Sequence, residues 1–372
     1  MKLSPEQSMQ LAIDEAYKGA TRVSPNPLVG AVVLDSEGNF LASGYHEFYG
    51  GPHAEVNALK NISMEQLQGA TVFVTLEPCA HEGKTPSCAK MMAKLPLKKV
   101  IFGLVDPNPL VAGQGAAILQ AAGIQTEVFS ETHPGFKDTL EEVCEAFLWN
   151  FRQKKVFVSL KIAQSMDGQI GLKTGESKWI TNETSREQAH YLRAAHDATL
   201  IGAGTLAADN PSLDIRHPQI QKKNKVVIVD PQGRLLKEAS TLNLTRLHEA
   251  SHLFWCVSEK SQEGGDVAFA KVLKVKELGG GLLDLQDLLL QLWNQGLRSV
   301  MIEGGAFTAS QFLKAGLVNR LYLFQAPVII GSGEGLSWTS AFGITEMKQR
   351  LVVKNLRTQN LAGDLLLTGR LS

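Results

Sequence analysis

The chain has 372 residues, 44% apolar and 20% charged, a globular composition long enough for two or three domains. Its 37 basic residues balance 37 acidic ones, and this neutrality argues against a nucleic-acid partner, whose phosphates are bound through an excess of Lys and Arg. No apolar run approaches the roughly 20 residues that cross a bilayer, the start Met1-Lys2-Leu3-Ser4-Pro5 lacks a signal-peptide core, and four cysteines in so long a chain do not make a disulfide framework. We therefore expect a cytoplasmic protein with no membrane partner, whose cysteines are free or hold metal.

Ser4, Pro5 and Gln7 spell an N-cap, a first-turn proline and a capping-box glutamine. The helix they open carries Met9, Ile13, Ala16 and Tyr17 on one stripe and should stop near Gly19. The apolar run 28–34, turned by residues 35–39 into 40–44, predicts a hairpin. Strand patterns recur at 71–76, 100–104 and 124–128 with helical patterns between them, the alternation of an α/β domain whose sheet is covered on both faces. Leu140, Val143, Cys144, Phe147 and Leu148 predict one helix over 136–151. The polar stretch 152–155 then marks a boundary near 148–155, dividing residues 1–147 from 148–372. In the second half, strands are expected at 200–202, 226–229, 253–257, 300–302 and 321–324. Helices are expected at 184–196, 285–293 and 306–315, and Gly279-Gly280-Gly281 reads as a loop.

His53-Ala54-Glu55 opens a predicted helix, and the strand over 71–76 runs into Glu77-Pro78-Cys79, with Cys88 nine residues on. Two thiolates and an imidazole make a three-ligand zinc site with a fourth position open for water, which zinc acidifies enough to yield hydroxide near neutral pH. A carboxylate that is not a ligand must then carry protons, and Glu55 is placed to do so, as in zinc nucleobase deaminases. The rival reading is a closed structural site with His81 as the fourth ligand; Glu55 argues against it, because a closed site has no use for that carboxylate. Eight residues separate the cysteines, where the general deaminase pattern has two.

Glu77-Pro78-Cys79-x-His81-x-Gly83-Lys84-Thr85-Pro86-x-Cys88 resembles the signature of the RibD family of bifunctional pyrimidine deaminase–reductases of riboflavin biosynthesis, in which the long spacing is usual. Ser24-Pro25-Asn26-Pro27-Leu28-Val29-Gly30-Ala31-Val32 and Gly44-Tyr45-His46 match the same family, and the resemblance covers nearly the whole chain. It implies a cytidine-deaminase-like three-layer αβα domain in which His53, Cys79 and Cys88 hold Zn2+ and Glu55 shuttles protons. The implied substrate is 2,5-diamino-6-(5-phosphoribosylamino)pyrimidin-4-one, and Asn26, His46, Lys84, Asp106 and Asn108 stand at positions associated with its contacts. Asn26 offers a donor and an acceptor to a pyrimidine edge, and Lys84 a point charge to a phosphate.

In the second half, Gly202-Ala203-Gly204-Thr205-Leu206-Ala207 follows a strand pattern, a weak dinucleotide signal alone. The strand over 300–302 runs through Glu303-Gly304-Gly305 straight into a helix, where backbone N–H groups can approach a phosphate. Ser165-Met166-Asp167-Gly168, Gly175-Glu176-Ser177-x-Trp179-Ile180-Thr181 and Asp209-Asn210-Pro211-x-Leu213 resemble the family's reductase half. That resemblance implies a dihydrofolate-reductase-like α/β domain using NADPH to reduce the ribosyl group of 5-amino-6-(5-phosphoribosylamino)uracil to ribityl. It places Ala163, Ser177, Trp179, Thr205, Asp209, Pro231, Gly305, Ala306, Phe307, Thr308, Ala309, Ser310 and Gln311 at the cofactor and Arg193, Leu213, Arg216 and Glu303 at the substrate. Arginine suits forked binding of the substrate phosphate, and Lys161, on the strand leading into this pocket, is our candidate for polarising the sugar carbonyl.

Cys144 and Cys256 sit in apolar patterns and read as core. A homo-oligomer, dimer or tetramer, is expected. Two other functions compete: a nucleoside or tRNA-base deaminase with an appended nucleotide-binding domain, disfavoured by neutral charge and by the cysteine spacing, and a non-catalytic zinc- and nucleotide-sensing module, which would not need Glu55 beside the metal.

Overall fold

The computed structural model describes residues 1–82, 86–108, 112–263 and 267–371. The chain divides into two compact units, Met1–Lys154 and Lys155–Ser372.

The first unit is built on strands β1 (Gly30–Leu34), β2 (Phe40–Tyr45), β3 (Ala70–Leu76), β4 (Leu97–Leu104) and β5 (Gln125–Val128), in the order β2-β1-β3-β4-β5. β1 runs antiparallel to β2 and β3, while β3, β4 and β5 are mutually parallel. Alternation sorts the strand residues between two helical layers. Val32 and Phe73 face Met9, Ile13 and Ala16 of the Pro5–Tyr17 helix, and Val33, Val72 and Val74 face Ala54, Ala58, Ala89 and Leu119 on the other side. The first helix starts at the expected capping box: the Gln7 backbone N–H donates to Ser4 Oγ at 3.2 Å, and the Ser4 N–H to Gln7 Oε1 at 2.9 Å. It rests directly on β1, since a Cβ on Gly30 would lie 2.0 Å from the Ala12 carbonyl oxygen.

The helix expected over 136–151 is broken. A 3-10 turn at Pro134–Phe136 leads into helices Lys137–Val143 and Glu145–Gln153, interrupted at Cys144 (φ −106°, ψ 14°), whose thiol donates to the Leu28 carbonyl at 3.2 Å. Cys144 is buried, as is Cys256, and burial pushes both thiols up to about 12. The break keeps Leu140, Val143 and Leu148 in the core while Phe147 and Phe151 line a pocket.

The second unit contains β6 (Phe157–Gln164), β7 (Gln169–Leu172), β8 (Ala198–Gly202), β9 (Lys225–Val229), β10 (Leu253–Ser258), β11 (Lys271–Val275), β12 (Glu277–Gly279), β13 (Leu282–Leu283), β14 (Ser299–Ile302), β15 (Arg320–Gln325), β16 (Gly335–Ser337), β17 (Val353–Leu361) and β18 (Asp364–Leu371). Nine of them form one sheet in the order β11-β10-β9-β8-β14-β6-β15-β18-β17, parallel from β11 to β15 and antiparallel at β18 and β17. Val158, Leu160, Val300 and Ile302 pack against Leu288, Leu292 and Phe312 on one face, and Met301 against Ala189 and Leu192 on the other. The glycine run 279–281 joins β12 to β13 with three positive φ values. The turn of the terminal hairpin is tied back by Asp364, whose Oδ2 accepts from the Asn182 N–H at 2.8 Å and from Ser185 Oγ at 2.7 Å.

Leu160 lies in a central strand with no solvent exposure. Leu160→Ala should cost about 2–5 kcal/mol of stability by leaving a cavity, read as a lowered denaturant midpoint at unchanged slope; a midpoint near wild type would mean the sheet closes over the gap.

Candidate functional site

In the first unit three separate elements converge. His53 is the N-cap of the Ala54–Leu59 helix, Cys79 follows the end of β3, and Cys88 opens the Cys88–Met92 helix. His53 Nδ1 lies 3.5 Å from Cys79 Sγ and 3.4 Å from Cys88 Sγ, and the three ligand atoms fall within 4.8 Å of one another. The long gap between the cysteines is closed locally. Ser87 Oγ donates to the Cys79 carbonyl at 2.8 Å, the Ala89 N–H to the same carbonyl at 3.1 Å, and the Cys88 N–H to Cys79 Sγ at 3.3 Å.

These atoms fit a zinc ion by donor type and by spacing. Hydrogen bonding with Cys88 and His53 draws the Cys79 thiol well down, and the same partnership, with burial, drives Cys88 up. A divalent cation bound between the two sulfurs would favour the ionised form of both. The hydrogen bond with Cys79 raises His53. Glu55 is 3% exposed, and burial pushes its carboxyl up. Among the described residues the metal-holding group is His53, Cys79 and Cys88; His81 lines the pocket without joining it.

The pocket brings Asn26, His46, Asp106 and Asn108 to the same place as Glu55. Burial pulls His46 down. Its Nδ1 faces the Pro52 carbonyl at 2.9 Å and must carry the proton. Nε2 then accepts from Asn26 Nδ2 at 3.0 Å, which leaves Asn26 Oδ1 as the acceptor end of that amide. Asp106 Oδ1 accepts from the Asn108 N–H at 2.8 Å, and burial pushes the Asp106 carboxyl up. Lys84 lies outside the described residues. Tyr49, Glu77, Phe147 and Phe151 also line the pocket and were not anticipated as site residues. For Glu77 the available signal was its place in the motif; for Phe147 and Phe151 it was the aromatic i, i+4 spacing.

In the second unit the candidates gather at the carboxyl ends of parallel strands, where ligands of open α/β sheets bind. Gly202 ends β8 and Glu303 follows β14. Arg193 donates from Nε to Glu303 Oε1 at 2.8 Å and from Nη2 to Oε2 at 3.1 Å, and also to the Asp214 carbonyl. Its guanidinium fork is therefore spent inside the protein, whereas the Arg216 side chain is 65% exposed and lies 3.6 Å from Asp214 Oδ1. Lys161 Nζ lies 3.9 Å from Glu303 Oε2; burial lowers this ammonium against the pull of the Glu303 charge. Burial alone would raise Glu303, but Arg193 and Lys161 outweigh it and hold the carboxyl at about 2. Leu213 is buried at φ 49°, and its carbonyl accepts from Asn224 Nδ2 at 2.9 Å.

Gly305 is the N-cap of the Ala306–Lys314 helix, so Ala306, Phe307, Thr308, Ala309, Ser310 and Gln311 form its first turns, with Ala309 and Ser310 buried and Phe307 exposed. A Cβ on Gly304 would lie 2.9 Å from Thr308 Cβ, and one on Gly202 2.4 Å from Thr308 Oγ1, so packing alone demands glycine there. A Cβ on Gly305 would meet only Thr205 Oγ1, at 3.4 Å, and one on Gly204 nothing within 4 Å. The surface at Gly305 is open for a phosphate to approach the backbone, and Thr205 Oγ1 steadies it by accepting the Gly305 N–H at 2.9 Å. Asp209 ends the Ala203–Asp209 helix, Pro231 follows β9, and Ala163 lies on β6. Ser177 and Trp179 precede the Glu183–Ala195 helix, with the Arg186 guanidinium 4.7 Å from the centre of the Trp179 ring.

A family model described as the RibD C-terminal domain matches residues 156–367, and one described as the cytidine and deoxycytidylate deaminase zinc-binding region matches residues 3–104. The chain is 37% identical over 359 residues to riboflavin biosynthesis protein RibD of Aquifex aeolicus, covering 96% of each chain. It is 36% identical over 363 residues to the protein of the same name from Bacillus amyloliquefaciens, covering 98% of this chain and 95% of that one. Among solved structures it is similar to Acinetobacter baumannii RibD (TM-score 0.81, 34% identity, 98% of both chains covered). It is also similar to a diaminohydroxyphosphoribosylaminopyrimidine deaminase/5-amino-6-(5-phosphoribosylamino)uracil reductase from Thermotoga maritima (TM-score 0.82, 31% identity, 99% of this chain and 98% of that one).

Glu303 titrates near 2 in the folded protein against an ordinary 4.5, so its ionised form adds stability that is fully present above pH 4.5 and is lost as pH falls toward 2. The stability difference between wild type and Glu303→Gln should therefore shrink as pH falls through this window, measured by denaturant titration at each pH. A difference independent of pH would mean the carboxylate is not held by its two cations.

Proposed function

The chain belongs to the RibD family of riboflavin-biosynthesis enzymes, and we propose how its own residues divide the family's two reactions. It is a bifunctional enzyme, a zinc-dependent pyrimidine deaminase joined to an NADPH-dependent reductase, acting on small phosphoribosylaminopyrimidines. Among the described residues no helix is long and apolar enough to cross a membrane.

In the deaminase, His53, Cys79 and Cys88 hold the zinc, which when bound supplies a Lewis acid that acidifies water. Glu55 takes a proton from the attacking water and delivers it to the ring nitrogen, then takes the proton of the new hydroxyl and delivers it to the amine as the C–N bond breaks and ammonia leaves; its burial and raised carboxyl suit a group that must alternate between protonation states. Asn26, with its amide oriented by His46, and Asp106 with Asn108 hold the pyrimidine; the family resemblance assigns the phosphate to Lys84, which lies outside the described residues. The convergence of three ligand atoms beside a buried, non-ligating carboxylate is the observation that carries this reading.

In the reductase, NADPH when bound would supply the hydride that replaces the ring C–O bond at the ribosyl carbon. Gly305 and the helix it caps receive a cofactor phosphate, with Ala163, Ser177, Trp179, Thr205, Asp209 and Pro231 completing the cofactor site. Lys161, an ammonium lowered by burial, donates a proton to the sugar oxygen as the hydride arrives. Glu303 holds Lys161, Arg193 holds Glu303, Leu213 walls the substrate, and Arg216 is the exposed cation for its phosphate. β17 is the end strand of its sheet and carries an exposed Leu356, an edge suited to a second copy of the chain in a homo-oligomer. Free cysteines accord with a cytoplasmic site of action.

The two reactions should separate by mutation. Glu55→Gln should cut ammonia release from the pyrimidine by about 10²- to 10⁴-fold with zinc content unchanged, and should spare oxidation of NADPH when the deaminated substrate is supplied. Gly305→Val should do the converse, raising the KM for NADPH several-fold and leaving deamination intact. Near-normal deamination by the first variant, or an unchanged KM in a folded second variant, would overturn the corresponding assignment.

A further inference from the structure

Glu77 has no part in the chemistry described so far, yet its carboxylate joins three pieces of the deaminase pocket. It lies just beyond β3, two residues before Cys79, and is 4% exposed. Its Oε2 accepts the Asp106 N–H at 3.2 Å and the Gly113 N–H at 3.0 Å, and its Oε1 accepts the Ala116 N–H at 3.3 Å. Gly113 is the N-cap of the Gln114–Ala121 helix and has no side chain with which to cap it. A capping box satisfies the N–H groups of the N-cap and third helical residues from within the helix; here one carboxylate from another element satisfies both and takes the Asp106 N–H as well. The helix end is pressed against it, since a Cβ on Gly115 would lie 2.0 Å from the Pro78 carbonyl oxygen.

We propose that Glu77 is a positioning residue for deamination: it sets the distance between the zinc-ligand strand end at Cys79 and the substrate-holding pair Asp106 and Asn108, so that the pyrimidine is presented to Glu55 at the correct depth. The inference rests on the assignment of Asp106 as a substrate contact. The carboxylate offers acceptors only, matched to three donors, and a side-chain amide at the same place turns one acceptor into a donor facing backbone N–H groups. Asp106 and the helix start would then be released from the strand end together. The Asp106–Asn108 turn keeps its own internal hydrogen bond, so what is lost is its placement.

The test measures binding of the diaminopyrimidine substrate at equilibrium in a Glu55→Gln background, so that turnover does not intrude, together with zinc content and thermal stability. Glu77→Gln should weaken binding by at least about tenfold, the cost of a lost charge-assisted hydrogen bond, with zinc still stoichiometric. Glu77→Asp, which keeps the charge on a shorter arm, should fall between wild type and Gln. Gly123→Ala provides the purely structural comparison: it strains a φ of 83° beyond the far end of the same helix, where a Cβ meets nothing, and should lower stability without changing affinity. Unchanged affinity in Glu77→Gln, alongside weakened binding in Asp106→Ala, would reduce Glu77 to a helix cap and overturn the proposal. Loss of zinc in Glu77→Gln would overturn it too, by placing the effect on the metal. Unchanged affinity in Asp106→Ala would remove the substrate assignment, and the proposal with it.

Discussion

The hydrogen bonds that tie Cys79 to the beginning of the Cys88–Met92 helix are the constraint on which the deaminase site depends. Eight residues separate the two cysteines, enough chain for their sulfurs to drift apart, and a metal needs its ligands within tenths of an ångström. The Cys79 carbonyl and sulfur are gripped by Ser87, Cys88 and Ala89 in succession, which holds the second cysteine against the first. His53 is a helix N-cap whose side chain makes no capping hydrogen bond, and its Nδ1 lies against the two sulfurs instead. Glu55 then falls within the first turn, buried against the ligands by the same geometry that makes it a poor ligand and a good proton carrier.

The reductase unit solves a different electrostatic problem. An unpaired carboxylate buried at Glu303 would cost several kcal/mol, and Arg193, in a two-pronged contact, is the larger of the two influences that offset that cost. Lys161 then adds a second cation to one anion. The contact of Lys161 with Glu303 at 3.9 Å is loose beside the 2.8 Å contact of Arg193, so the ammonium is held in place without being committed.

Much of this was legible in the residues. The zinc ligands and Glu55 form a short-range pattern whose chemistry is specific, and the capping box at Ser4, the hairpin over 30–45 and the parallel strands of the second half follow apolar period and turn chemistry. The terminal hairpin was not foreseen because β17 is exposed along nearly its whole length and carries no alternation. The break at Cys144 was invisible because the apolar stripe continues across it; the thiol contact with Leu28 that marks it spans 116 residues. Arg193, Glu303 and Lys161 were each singled out in the sequence, but their pairing with one another was not, and Glu77 was visible only as part of a motif; those partnerships are made by tertiary structure alone.

Both chemistries arise at the same kind of place, the carboxyl ends of strands in an α/β sheet: β3 and β4 in the deaminase, β8 and β14 in the reductase. The fold therefore does not choose between hydrolysis and hydride transfer; the residues just past each strand do. After β3 come a carboxylate that organises backbone and a sulfur that binds metal, and after β14 a carboxylate that organises cations and a glycine that packing does not require. Gly304 and Gly202 are held to glycine by Thr308, so their small size says nothing of a ligand. Gly305 has an ordinary extended backbone and room for a side chain, so packing does not require glycine there, and that openness is what the proposed approach of a cofactor phosphate to its backbone would use.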